Sequence, residues 1–158
     1  MTERDEPAVR DFVERMALAW AEMGFPKMAA RVLMTFMAAD APVLTAAQLR
    51  DALDTSPAAI SGAVRYLMHI GMLRRHPLPG SREHAYSLYE DTWYQVTVNS
   101  GFYTTMSGLT DDGVAAAGPD TEAGRRLAEM RDFFVFLEAE MGGLVDKWRR
   151  QRAAAENP

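Results

Sequence analysis

Residues 45–71 constrain the fold more than any other segment of this 158-residue chain. Thr45 and Gln48 have the spacing of a capping box, which predicts the start of a short helix. Ser56-Pro57 is an N-cap residue followed by a first-turn proline, which predicts a second helix extending to about residue 70. Only Asp54-Thr55 separates the two helices. Two helices joined by so short a connection predict a helix-turn-helix.

The next segment predicts a β-hairpin. Short strands are expected at 72–76 and 84–88, on either side of an exposed loop at 77–82. The prolines and the glycine of that loop exclude a helix. A hairpin directly after a helix-turn-helix forms a wing, so residues 25–91 are expected to be a winged helix-turn-helix domain.

A further helix is predicted within this domain at 26–39, and helices are predicted on both sides of it, at 7–23, 92–109 and 121–152. Apolar residues of the last helix step alternately by three and four, which is a heptad pattern. Its members are Leu127, Met130, Phe134, Leu137, Met141, Leu144 and Trp148.

A small winged domain cannot bury that stripe and the similar one on the first helix by itself. We therefore expect 1–24 and 92–152 to form a helical dimerisation region across a two-fold axis, and 153–158 to be a disordered tail. The alternative is that both stripes pack within one subunit. The expected fold class is mainly α with a small β-hairpin wing, a winged helix-turn-helix core with N- and C-terminal dimerisation helices.

Charge and composition narrow the function. The chain carries a net charge of −5, but Ser56–Tyr89 holds four arginines and one acid, so this third is basic in an otherwise acidic protein. The absence of cysteine excludes disulfides and thiolate zinc sites. No apolar run reaches about 18 residues and the N-terminus is polar, so we expect a soluble cytoplasmic protein without a membrane span.

The helix at 56–70 carries the candidate DNA contacts. At 100° per residue, an apolar face that includes Ile60 and Leu67 lies opposite a face of small residues with one long cation, Arg65. Small side chains allow a helix to enter a major groove about 12 Å wide. The alternative for this face is an ordinary solvent-exposed helix surface.

The hairpin adds arginines that suit a DNA-binding wing. Arg82 near its tip suits the narrow minor groove, whereas Arg74 and Arg75 alternate along a strand, so at most one faces the duplex. The alternative for all three is edge-strand charge that discourages aggregation. The candidate DNA-binding residues are Ser56, Ala58, Ala59, Ser61, Gly62, Arg65, Arg74, Arg75 and Arg82.

The sequence does not favour an enzyme. It has no glycine-rich phosphate loop, nucleophile elbow or HExxH motif, so we expect no catalytic residues and no cofactor. His69, His76 and His84 are seven and eight residues apart and lack thiolate partners, so no metal site is expected.

Residues 23–88 resemble the winged-helix core of the MarR superfamily, in its GbsR-like branch. The resemblance rests on Gly24-Phe25-Pro26, on the run Ser56–Ser61, on Gly71-Met72-Leu73 and on Pro79-Gly80-Ser81-Arg82. Residues 125–132 are similar to the last helix of mycobacterial transporter repressors of the same superfamily.

The resemblance implies a homodimeric transcription factor, usually a repressor, which binds double-stranded operator DNA and is released by a small molecule. Carried over by position, it assigns DNA contacts to the small residues of the 56–70 helix, to Arg65 and to Arg82. The wing tip often holds Asp-Arg-Arg, whereas this chain has Ser81-Arg82-Glu83, which is expected to weaken affinity for the DNA backbone.

A pocket for a hydrophobic or amphiphilic effector is expected where the 93–109 helix meets the dimer helices and the winged domain. Candidate lining residues are Met16, Trp20, Trp93, Phe102, Tyr103, Met106 and Phe134; plain core packing is the alternative for each. The alternative function is a winged-helix protein-interaction module that does not bind DNA.

Overall fold

The computed structural model describes residues 4–89, 94, 98 and 100–156. The chain divides into an N-terminal unit, 1–92, and a C-terminal unit, 93–158. The elements of the N-terminal unit are α1 (Glu6–Glu22), α2 (Lys27–Ala38), β1 (Leu44–Thr45), α3 (Ala46–Leu53), α4 (Pro57–His69), β2 (Leu73–Pro77) and β3 (His84–Leu88). Those of the C-terminal unit are α5 (Ser100–Ala117) and α6 (Glu122–Glu156).

Side-chain caps fix where the helices of the N-terminal unit begin. The predicted capping box is confirmed: Thr45 Oγ1 accepts from the Gln48 N–H at 3.1 Å, and Gln48 Oε1 accepts from the Thr45 N–H at 2.8 Å. Ser56 Oγ accepts from the Ala59 N–H at 3.2 Å and caps α4 as predicted. Between the two helices, Asp54 adopts the left-handed conformation at φ 47°. The helix-turn-helix is therefore built from local sequence signals.

The wing belongs to a three-stranded antiparallel sheet, in the order β1-β3-β2. Leu44 of β1 lies opposite Tyr86 of β3, and Leu73 of β2 lies opposite Leu88. The sequence predicts the hairpin of β2 and β3 but not β1. A strand of two residues shows no alternation of polar and apolar positions, so the pattern carries no trace of it.

The core of the N-terminal unit lies between α1, α2, α3 and α4. On α4, the buried residues are the predicted apolar face, Ile60, Ala63, Val64 and Leu67. Val13 and Ala17 of α1 are buried, and α1 packs on α2. Within the single chain, α1 is part of the same compact unit as the winged helix. That 1–24 and 92–152 form a dimerisation region between two chains stays a prediction.

The C-terminal unit consists of two helices that pack along each other. Arg131 of α6 donates to Asp111 of α5 at 2.8 Å. Hydrogen bonds to Asp111 and Asp132 raise the pKa of the Arg131 guanidinium. Thr104 of α5 also donates to Glu138 of α6, so polar contacts reinforce the apolar contact between the two helices.

The last helix continues further than predicted. Residues 153–156 are helical, so the prediction of a disordered tail is wrong for them; residues 157 and 158 lie outside the described residues. Three of the four are alanines, and alanine has the highest helix propensity. Much of the helix predicted from 92 also falls outside the described residues, and α5 begins at Ser100. Among the described helices, none has both the length and the apolarity that crossing a membrane requires.

Candidate nucleic-acid interface

The α4 helix presents a face of small residues to solvent. Ser56, Ala58, Ser61 and Gly62 are exposed and Ala59 is half-buried. A Cβ built on Gly62 would have no atom within 4 Å. Arg65 is exposed one turn further along α4. We call the five residues other than Arg65 the small-residue face; its low profile allows another molecule to approach the helix backbone closely.

A tight turn exposes the tip of the wing. Gly80 has φ +76°, a conformation that glycine adopts without steric cost. The Glu83 N–H donates to Ser81 Oγ at 3.0 Å, which closes the turn around Arg82. Arg82 is exposed within that turn.

The sheet register places Arg74 and Arg75 on different faces. Arg75 lies opposite Tyr86, and directly opposed residues point to the same face of a sheet. Arg74 lies opposite Ser87, and its guanidinium sits 4.6 Å from the centre of the Tyr89 ring. Arg74 is therefore engaged by an aromatic ring, whereas Arg75 shares a face with Tyr86.

One cleft of about 300 Å³ joins α3, α4 and the wing. Its lining brings the predicted residues Ser61 and Arg82 together with Tyr86 and with Arg50 of α3. Arg50 was missed by sequence reasoning because its neighbour Asp51, with which it forms an ion pair at 3.4 Å, makes it look like ordinary surface charge. His84 also lines the cleft, and its buried Nδ1 has no hydrogen-bond partner among the described residues.

The candidate arginines are not neutralised within the described part of the chain. There, no ion pair joins Arg65, Arg75 or Arg82 to a carboxylate, although other arginines of the N-terminal unit are paired. These are Arg4, Arg15, Arg31 and Arg50. The positive charge of α4 and the wing therefore remains available to an anionic partner.

The three histidines lie on α4, β2 and β3. His76 Nε2 is 2.8 Å from Ser87 Oγ, a hydrogen bond within the wing. Across 4–89, 94, 98 and 100–156, no group of three or more His, Asp or Glu side chains is placed to hold a metal ion.

The residues predicted to line an effector pocket fall in both units. Met16 and Trp20 are half-buried on α1, and Trp20 makes an edge contact with Phe25 at 5.1 Å between ring centres. In the C-terminal unit, Phe102 makes edge contacts with Tyr103 at 5.5 Å and with Phe134 at 6.3 Å. Met106 is half-buried on the same helix. Trp93 lies outside the described residues.

Comparisons with known proteins show what this chain is similar to. Residues 91–151 match the family model of MmpR5-like MarR family transcriptional regulators. The HTH-type transcriptional regulator MmpR5 of Mycobacterium tuberculosis is 27% identical over 156 residues, which cover 92% of this chain and 90% of the relative. A crystal structure of a transcriptional regulator has the same fold, with a TM-score of 0.80 and 24% identity over 91% of this chain and 99% of that one. Together with the winged helix, these matches make the chain similar to MarR family transcriptional regulators, in the C-terminal part by the family model and over most of its length by the relative.

Proposed function

We propose that this protein is a homodimeric, cytoplasmic, DNA-binding repressor that a small hydrophobic molecule releases from its operator. The observation that carries the proposal is the small-residue face of α4, bordered by arginines without carboxylate partners among the described residues. Such a surface is complementary to a groove between two phosphate backbones. Its low profile suits a close approach to base edges, and its charge suits phosphate.

The small-residue face enters the major groove. Ala58, Ser61 and Gly62 hold no bulk that would keep the helix backbone away from the bases. Arg65 is long enough to donate two hydrogen bonds to the O6 and N7 atoms of a guanine. The N-terminus of α4 adds partial positive charge toward the phosphates.

The wing contacts the adjacent minor groove through Arg82. The narrow minor groove has an enhanced negative potential that attracts arginine. Arg50 of α3 lines the same cleft as Arg82, so the two cations can contact the same stretch of phosphate backbone. Glu83 lines that cleft too, and its carboxylate reduces this attraction.

Dimerisation rests on apolar surface of α6. Phe133, Phe136, Leu144 and Trp148 are 55%, 56%, 54% and 47% exposed in the single chain. Scattered apolar residues are normal on a surface, but large contiguous patches mark interaction sites. A second copy that covers this helix gives two winged domains for two half-sites of a palindrome.

Fluorescence anisotropy tests the proposal with labelled DNA from upstream of the protein's own gene and with scrambled DNA. We expect selective binding that weakens steeply between about 50 and 200 mM salt, because each phosphate contact releases counterions. Weak binding without selectivity or salt dependence would instead favour a protein-interaction module.

A matched pair of variants tests the recognition face. Arg65→Ala is expected to weaken operator binding by about 5- to 150-fold, which corresponds to roughly 1–3 kcal/mol for a base contact. Arg126→Ala removes the same charge from α6, where Arg126 pairs with Glu122 at 3.8 Å. This control is expected to bind nearly as the parent does. Equal affinities for the two variants would show that α4 does not present Arg65 to DNA.

A further inference from the structure

A second cavity lies within the N-terminal unit, away from the candidate DNA interface. It has a volume of about 440 Å³ and lies between α1, α2 and α3. Pockets for small molecules generally have volumes of about 300–1,000 Å³. None of the six described residues of the predicted effector pocket lines it.

Apolar side chains form much of the wall of this cavity. Val13 and Leu53 are each 5% exposed, and Val9 and Leu44 are half-buried. Alanines occupy three further positions of the wall, at 38, 39 and 52. Side chains this short leave the space unfilled, and the wall suits an apolar occupant.

The charged groups that line the cavity balance one another. Three arginines (Arg4, Arg10 and Arg31) face three acids (Glu6, Glu14 and Asp54). Arg31 is 18% exposed and lies 2.6 Å from Glu14, and Arg4 lies 2.6 Å from Glu6. Two of the cations are therefore already neutralised. The remaining pair, Arg10 and Asp54, has no net charge, so the lining has no excess of either sign to attract an ion.

We propose that this cavity binds an uncharged, mainly apolar small organic molecule. The side chain of Arg31 shows how such a ligand communicates with the helix-turn-helix. Its guanidinium on α2 donates to Glu14 of α1 at 2.8 Å and to the carbonyl of Leu53 at 3.0 Å. Leu53 is the last residue of α3 and stands three residues before Ser56, the N-cap of α4. An occupant against Arg31 and Leu53 therefore shifts the joint that sets the angle of α4.

Two dyes with the same ring system test the site. N-phenyl-1-naphthylamine is uncharged, and 1-anilinonaphthalene-8-sulfonate adds one negative charge to the same rings. We expect saturable fluorescence enhancement with one uncharged dye per chain, and weaker binding of the sulfonate. Equal or tighter binding of the sulfonate would overturn the assignment of an uncharged ligand, and the absence of saturable binding would overturn the site.

Two tryptophan variants on α1 locate the dye. Val9→Trp fills the cavity and is expected to weaken dye binding by at least about tenfold, since an overfilled site has no room left. Leu18→Trp places the same side chain at an exposed position outside the lining and is expected to leave dye binding unchanged. If a folded Val9→Trp protein binds the dye as the parent does, the dye sits elsewhere and the proposal fails. Ala52→Leu, a smaller filling, replaces Val9→Trp if the latter does not fold.

The regulatory half of this inference rests on the proposed function and has its own test. With the uncharged dye at saturation, operator affinity is expected to fall in the parent but not in Val9→Trp. Unchanged operator affinity with the dye bound would overturn the coupling and leave the site standing. Dye binding in a protein that binds no DNA would contradict the proposed function alone.

Discussion

Gly124 illustrates a constraint that acts on a single residue. It is buried in the first turn of α6, and its N–H donates to Thr121 Oγ1 at 2.9 Å. A Cβ at this position would overlap the carbonyl oxygen of Gly118, which itself has φ +85°. The turn between α5 and α6 therefore packs so closely against position 124 that only glycine fits there.

We expect Gly124→Ala to destabilise the protein by about 1–3 kcal/mol, as overpacking of a well-packed site does. Gly142→Ala is the matched control, because a Cβ there meets no atom within 4 Å. In the control, the better helix propensity of alanine is expected to raise stability by up to about 1 kcal/mol. Urea unfolding of both variants measures the difference; loss of stability in both, or in neither, would contradict the packing argument.

Residues differ in how far the sequence predicts their roles. Thr45 and Ser56 are predicted as caps because their partners are three residues away, and the structure confirms both. The places of Arg50 and Gly124 are not predictable in this way. Arg50 belongs to the candidate interface because it lines a cleft with Arg82 of the wing, which is more than 30 positions further along the chain. Gly124 is constrained by the carbonyl oxygen of Gly118 in the preceding turn.

At the scale of the element, α4 is less stable than it could be, but another molecule can approach its backbone closely. Glycine in a helix interior lowers stability by roughly 0.5–1 kcal/mol relative to alanine. Gly62 nevertheless stands in the middle of α4 with open space around it. Packing of the core does not require a glycine at position 62. We therefore attribute this glycine to the need for a low exposed surface on α4.

A graded series at this position tests that interpretation. Gly62→Ala and Gly62→Leu are both expected to keep or raise thermal stability, because alanine and leucine favour helices and a Cβ at this position has no atom within 4 Å. Operator affinity is expected to fall as the side chain grows, most strongly for leucine. If anisotropy shows the same affinity for all three side chains, α4 does not enter the groove by its small-residue face.

Elements of different length are predicted with different success. The helices of the helix-turn-helix are found within one or two residues, since caps, proline and apolar periodicity all agree. The strand β1 is missed because two residues carry no period, and the end of α6 is misplaced because a polar, alanine-rich tail has no packing pattern. The high helix propensity of its alanines is what extends α6 to residue 156.

At the scale of the whole molecule, the stripe of a helix does not reveal which surface covers it. The stripe of α1 consists of Val9, Phe12, Met16, Ala19 and Met23, so the two buried residues of that helix, Val13 and Ala17, lie outside it. On the stripe of α6, Met130, Leu144 and Trp148 are 49%, 54% and 47% exposed. Both stripes step alternately by three and four residues in the sequence. In the folded chain exposed apolar residues remain on both stripes, so both leave surface that another molecule can cover.

We therefore expect the protein to have twice the mass of its 17.6 kDa chain in solution. The double variant Phe133→Ser/Phe136→Ser is expected to shift this mass toward the monomer, because it removes apolar area from the proposed interface. Val43→Ser, a change at a 38% exposed site outside both proposed dimerisation segments, is the control. Sedimentation equilibrium measures the masses; a double variant that remains as dimeric as the control would place the interface elsewhere.

Asp54 has a consequence for the genetics of such a regulator. Its left-handed backbone, at φ 47°, sets the turn between α3 and α4, and glycine, asparagine and aspartate adopt that conformation most readily. A β-branched residue at this position strains the turn and tilts α4, although position 54 is not among the predicted DNA contacts. A selection for derepressed mutants should therefore recover substitutions at this codon beside those at Arg65, and Asn and Gly should be depleted among them.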